Sequence, residues 1–161
     1  MDQSDMTYSK LVSNCISRWR NLEWVICWDI TLDGDALMHL SRIPECTRLH
    51  FRLSSTLPVS HSSLVFSNLH NMTVQAESLE PISQLLHQTR LPAVTIFDAF
   101  VDNCPVMPGL TSFLDGVPRS NAGHTIEKLR LAQSHYSFRN VLRLEARPLG
   151  FEDLGPCMES S

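Results

Sequence analysis

The chain has 161 residues, 43% of them apolar and 19% charged, with a net charge of −4. That is enough for one domain with a core, and the composition is globular rather than disordered. The acidic balance argues against bulk nucleic-acid binding, which calls for clustered basic surface.

The opening "MDQSDMTYSK" has no basic segment followed by a long apolar one, so no secretory signal is read there. The longest apolar runs are a few residues, so no membrane-spanning helix is expected. Cys15, Cys27, Cys46, Cys104 and Cys157 are odd in number and form no C-x-x-C pair. Reduced thiols in an intracellular compartment, cytoplasmic or nuclear, fit best. Asn71-Met72-Thr73 matches the glycosylation sequon, which without a signal peptide is read as chance.

Leu11, Val12, Cys15, Ile16 and Trp19 have the spacing of an amphipathic helix. Residues 1–20 are therefore expected to be a flexible tail and a capping helix, and 21–161 a repeat array. A short template with apolar residues at positions 1, 4 and 6 then recurs. It reads Leu22, Val25, Cys27; Cys46, Leu49, Phe51; Leu69, Met72, Val74; Leu91, Val94, Ile96; and Ile126, Leu129, Leu131. The starts are 24, 23, 22 and 35 residues apart. Three of the four intervals match the period of leucine-rich repeats, about 20–29 residues. The fourth needs an insertion, for which "DNCPVMPG" and "GVPRSNAGH" supply turn-rich material.

Between these segments, "GDALMHLSRI", "LEPISQLLHQ" and "LTSFLDGV" carry apolar residues at helical spacing, and "SHSSLVF" is a shorter version. Pro81 is tolerable in a first helical turn. Near the end, "NVLRLEA" reads as a further short strand and "GFEDLGPCM" as a weak helix. Each unit is strand, turn, short helix, turn. Such a unit cannot bury its apolar face alone, but stacked copies join their strands into one parallel sheet under an outer helical layer. The expected fold is α/β, a short irregular leucine-rich-repeat solenoid. It would have about five repeats, parallel strands on the concave face and short helices on the convex face, and is expected to be truncated at the C-terminus. A doubly wound sheet also alternates strand and helix. The short strands, tight connections and lack of a phosphate-binding glycine loop weigh against it.

The phrases "WRNLEWVICWDITLDGDALMHLSRIPECTRLHFRLSS", "FSNLHNMTVQAESLEPISQLLHQTRLPAVTIF" and "GFEDLGPCME" resemble the leucine-rich-repeat region of F-box proteins from mushroom-forming fungi. The resemblance runs from Ser17 onward and rests on whole phrases, since the individual motifs are degenerate. It implies a substrate-recognition role. In that family the F-box docks on the Skp adaptor of a cullin-type ubiquitin ligase, and the repeats read the protein to be ubiquitinated. No leucine-proline opening of an F-box precedes the first strand here, so a Skp-type adaptor is not an expected partner. The family's Asn or Cys at repeat position 9 is also missing. Ile30, Ser54, Glu77, Ala99 and Ser134 stand there, which implies irregular curvature.

No enzymatic site is read. The seven histidines include no H-E-x-x-H pair, no G-x-S-x-G elbow is present, and Ser134, His135 and Asp153 make only a paper triad. Cys46 and His50 are read as a core thiol and an exposed imidazole, and neither metal nor cofactor is expected. A small hydrolase-like α/β enzyme and a repeat scaffold unrelated to ubiquitination are the alternatives.

In the repeat frame, positions 3, 5 and 7 point away from the core. They read Trp24, Arg48, Asn71, Ala93, Lys128; Ile26, His50, Thr73, Thr95, Arg130; and Trp28, Arg52, Gln75, Phe97, Ala132. None is acidic. The expected partner-binding residues on the concave face are Trp24, Trp28, Arg48, His50, Arg52, Asn71, Thr73, Gln75, Thr95, Phe97, Lys128 and Arg130. Aromatic and Arg side chains are the usual interface hot spots, so a protein partner is expected, acidic or phosphorylated. Trp24 and Trp28 have a competing role as cap core beneath the N-terminal helix, and the basic residues as an ordinary solvated face.

Overall fold

Alternating apolar and polar residues set the strands, and a computed structural model of the chain describes residues 10–12, 14–53, 63–102, 109–121, 124–133 and 141–144. In chain order the elements are β1 (Trp24–Leu32), α1 (Gly34–Ser41), β2 (Arg48–Leu53), β3 (Leu64–Val65) and β4 (Asn71–Ala76). Then follow α2 (Leu79–Gln88), β5 (Thr89–Arg90), β6 (Ile96–Val101), α3 (Leu110–Ser120), β7 (Lys128–Gln133) and β8 (Val141–Leu144). Residues 10–12 and 14–16 are also helical. Six strands form one sheet in the order β1-β2-β4-β6-β7-β8, and β3 pairs with β5 in a separate two-stranded sheet. The main sheet is parallel from β1 to β7, while β8 runs antiparallel to β7. The fold is mixed α/β with a mostly parallel sheet and few helices. Among the described residues, no helix is long and apolar enough to cross a membrane.

A backbone hydrogen-bond pattern recurs at the entries of β2, β4, β6 and β7. The Glu23 carbonyl accepts from the N–H groups of Thr47 and Arg48, and that of Thr47 accepts from His70 and Asn71. The His70 carbonyl accepts from Thr95 and Ile96, and that of Thr95 from Glu127 and Lys128, all eight bonds measuring 2.9–3.2 Å. Each unit thus hands one carbonyl to the next two amides. Thr47 and Thr95 add hydroxyl bonds to the Glu23 and His70 carbonyls, at 3.3 and 3.2 Å.

This register corrects the sequence frame at the fourth unit. Val25, Leu49, Met72, Phe97 and Leu129 are mutual neighbours, so the intervals between them are 24, 23, 25 and 32. The apolar triplet of that unit is Val94, Phe97 and Ala99, not Leu91, Val94 and Ile96, because both fit the same one-four-six spacing. Strand geometry separates them: Pro92 and Ala93 lie in a turn and the strand begins at Ile96. The first unit departs differently. Ile26 pairs with His50, but the next pairs are Thr31 with Arg52 and Leu32 with Leu53. Residues 27–30 therefore oppose Phe51 alone, and Leu32 rather than Cys27 reaches the fully buried layer.

The core lies between the sheet and the helices. Leu49, Phe51, Met72, Val74, Phe97, Ala99, Leu129 and Leu131 from the strands are buried in one cluster with Leu37, Leu40, Ile82, Leu86, Phe113 and Val117 from the helices. The Phe97 and Phe113 rings meet with centroids 6.3 Å apart, tying α3 to β6. The N-terminus of α1 is capped by Asp33, whose Oδ1 accepts from Ala36 N at 2.8 Å. Of the N-terminal amphipathic set, Ile16 is buried and Val12 packs on the core, whereas Leu11, Cys15 and Trp19 face outward.

Two expectations for the helical layer need correction. Of "SHSSLVF", Leu64–Val65 is a strand paired with Thr89–Arg90, not a helix. In "GVPRSNAGH", residues 116–120 continue α3, with Pro118 in its last turns. Beyond that helix, buried Asn121 Nδ2 donates to the Leu91 carbonyl at 2.5 Å and to Thr125 Oγ1 at 2.9 Å. Its Oδ1 accepts from Thr125 N at 2.6 Å, and Thr125 Oγ1 donates to the Val94 carbonyl at 2.8 Å. This clasp joins the loops before β6 and β7. "NVLRLEA" contains β8 as expected of a strand. "GFEDLGPCM", Ser134, His135 and Asp153 lie outside the described residues.

Candidate functional site: the outward sheet face

Successive strand residues point to opposite sides of a sheet. Along β2 and β4 the side facing the helices is buried at every second residue, and the side between is half-buried or exposed. The outward face therefore carries three rows across the ladder. The first is Trp24, Arg48, Asn71, Ile96 and Lys128, and the second Ile26, His50, Thr73, Asp98 and Arg130. The third includes Thr31, Arg52, Gln75 and Phe100.

Most of the expected residues are on this face, and two are not. Phe97 is 0% exposed and packs on Phe113, so it belongs to the core. Thr95 precedes β6 and its hydroxyl is spent on the His70 carbonyl. Both displacements follow from the three-residue offset of the fourth unit. Ile96, Asp98 and Phe100 take the outward places instead. The side chain of Trp28 lies outside the described residues. In the observed register Thr31, not Trp28, neighbours Arg52.

Asp98 changes the electrostatics, since an acid stands where none was expected. It is 8% exposed and paired with Arg130. Arg130 Nε lies 3.1 Å from Asp98 Oδ1, a charge contact whose N–H is not aligned on the oxygen, and Nη2 hydrogen-bonds Oδ2 at 3.5 Å. The Arg130 guanidinium also lies 5.9 Å from the Phe100 ring centroid. Arg52 is paired with Asp102, which also accepts from Gln75 Nε2 at 3.0 Å. Two of the four expected cations are thus neutralised within the chain. Among the described residues, no carboxylate pairs with Arg48 or Lys128.

At the β1 edge the surface is apolar. Trp24 is 60% and Ile26 53% exposed, which places Trp24 outside any cap core. The Arg48 guanidinium lies 4.9 Å from the Trp24 ring centroid, in cation–π range. Stacking on one face of the planar guanidinium leaves its N–H edge available for an oxyanion.

His50 sits in the middle row, where burial lowers its pKa from the ordinary 6.5 against a smaller opposing pull from Asp98. Cys46 is buried behind the sheet. Burial pushes its thiol up to about 11, against a smaller opposing effect of the Arg48 backbone. Such a thiol is not a nucleophile at neutral pH. Among the described residues, no three His, Cys, Asp or Glu side chains cluster closely enough to hold a metal ion.

Sequence reasoning missed Asp98, Ile96 and Phe100. The signal was present in "IFDAFV", whose alternation continues to Val101 and so favours the later frame. Compared with protein-family models, curated proteins and solved structures, the chain finds no match in any of the three.

Proposed function

We propose that the chain is a non-catalytic protein-interaction module. It would be a short leucine-rich-repeat solenoid, similar to the substrate-reading repeats of fungal F-box proteins, whose outward sheet face meets an acidic or phosphorylated protein partner. The observation that carries this reading is the exposed Trp24 and Ile26 beside Arg48, which together supply the aromatic, aliphatic and guanidinium surface typical of interface hot spots. The stacked architecture is supported by the carbonyl of each unit accepting from two amides of the next. It is also supported by a strand order that never reverses between β1 and β7. Ligand sites of doubly wound enzymes lie where such an order switches.

Affinity capture from cell extract with mass spectrometry tests the reading, using three forms of the chain. Wild type and a Glu80→Ala, Gln84→Ala variant, altered on α2, should retain the same proteins. A Trp24→Ala, Arg48→Glu variant should lose them while remaining folded by circular dichroism. Equal recovery by all three forms would contradict a role for the sheet face.

A further inference from the structure

The internal pairing of Arg52 and Arg130 narrows what the face can read, and the inference here rests on the interaction-module reading above. Arg48 and Lys128 both belong to the first row, on β2 and β7. They are three strand spacings apart, about 14 Å at roughly 4.8 Å per strand. Between them in the same row stand Asn71 and Ile96, which carry no charge. One strand beyond Arg48 lie exposed Trp24 and Ile26. Asp98 and Asp102 do not make the face anionic, because each is paired with an arginine.

We propose that the face binds an extended segment running across the strands, with two acidic groups four residues apart and an apolar residue two positions beyond the acid on Arg48. An extended chain advances about 3.3 Å per residue, so side chains four apart on one face are separated by about 13 Å. That matches the Arg48–Lys128 separation. The apolar side chain then falls on Trp24 and Ile26. The Arg48 guanidinium, held against the Trp24 ring, presents its edge to the oxyanion, and Lys128 acts as a point charge. Charge complementarity thus selects both the sign and the spacing of the occupant. Carboxylate and phosphate satisfy the same two cations.

Fluorescence anisotropy with synthetic nonapeptides tests this. One peptide carries two glutamates four apart and a phenylalanine two residues after the second. A second replaces both glutamates by phosphoserine, and a third sets the glutamates two apart. The first should bind saturably, weaken as salt is raised, and bind at least tenfold tighter than the third. Arg48→Gln and Lys128→Gln should each weaken it about tenfold, and Gln84→Ala, on the helical side, less than twofold. Tighter binding of the second peptide assigns the acids to phosphate, and weaker binding to carboxylate. Absence of saturable binding, indifference to spacing, or indifference to Lys128→Gln would overturn the inference. So would self-association of the chain that Arg48→Gln abolishes, since the occupant would then be a second copy. If the peptides fail while capture of proteins from extract still depends on Trp24 and Arg48, the interaction reading stands and only the spacing rule falls.

Discussion

Phe97 and Trp24 show how much depends on which side of a strand an aromatic residue takes. Phe97 is fully buried on Phe113, and Trp24 is largely exposed under Arg48. Truncating a buried Phe removes its transfer energy and leaves a cavity, so Phe97→Ala should cost about 3–5 kcal/mol. Trp24→Ala should cost under about 1 kcal/mol, the size of an exposed cation–π contact. Urea unfolding of the two variants measures both. Arg52→Glu is a different kind of change, because it sets a carboxylate against Asp102 and so disturbs stability as well as surface charge. His50 gives the face a pH signature. Its folded pKa lies below the unfolded value of 6.5, so the unfolded chain binds the extra proton first. The His50 contribution to stability is complete above 6.5 and is lost as the pH falls through the window below it. Thermal midpoints followed downward from pH 7 should therefore drop less in His50→Gln than in wild type, and parallel curves would contradict this.

At the scale of elements, α2 and α3 meet closely. A Cβ placed on Gly116 would lie 2.9 Å from Leu86 Cβ. That atom is fixed to the backbone and cannot swing aside, so the helices themselves would have to part. Gly116→Ala should then destabilise by about 1–2 kcal/mol, the overpacking cost outweighing the better helix propensity of alanine. Leu86→Ala should not rescue it, because alanine keeps the same Cβ. A double-mutant unfolding cycle checks both statements. The strands show what was legible from sequence. The frames beginning at Cys46, Leu69 and Ile126 match the observed register throughout. At "LPAVTIFDAFV" two frames three residues apart satisfy one template, and spacing alone does not separate the earlier from the later. That single offset sent Phe97 to the surface and hid Asp98. The extra residues of β1 were not legible, since local alternation carries no information about its pairing partner. Nor was the Asn121–Thr125 clasp, because buried polar bonds between distant loops leave no periodic trace.

Across the described sheet, one face packs on the helices and the other carries the polar, charged and exposed aromatic side chains. Among the described residues, the buried face is almost wholly apolar, and on the outward face Arg52 and Arg130 are paired with carboxylates while Arg48 and Lys128 are not. A net charge of −4 therefore coexists with two outward cations, Arg48 and Lys128, that no carboxylate pairs among the described residues. Both exposed tryptophans with described side chains provide probes, because Trp24 lies on the sheet face and Trp19 follows the N-terminal helical residues. The most direct measurement is a nitrogen-15 tryptophan spectrum of the chain, titrated with a partner recovered by capture and assigned by Trp19→Phe and Trp24→Phe. The Trp24 indole signal should shift or broaden at stoichiometric partner while that of Trp19 stays in place. Movement of Trp19 with an unmoved Trp24 would put the interface elsewhere and contradict the account.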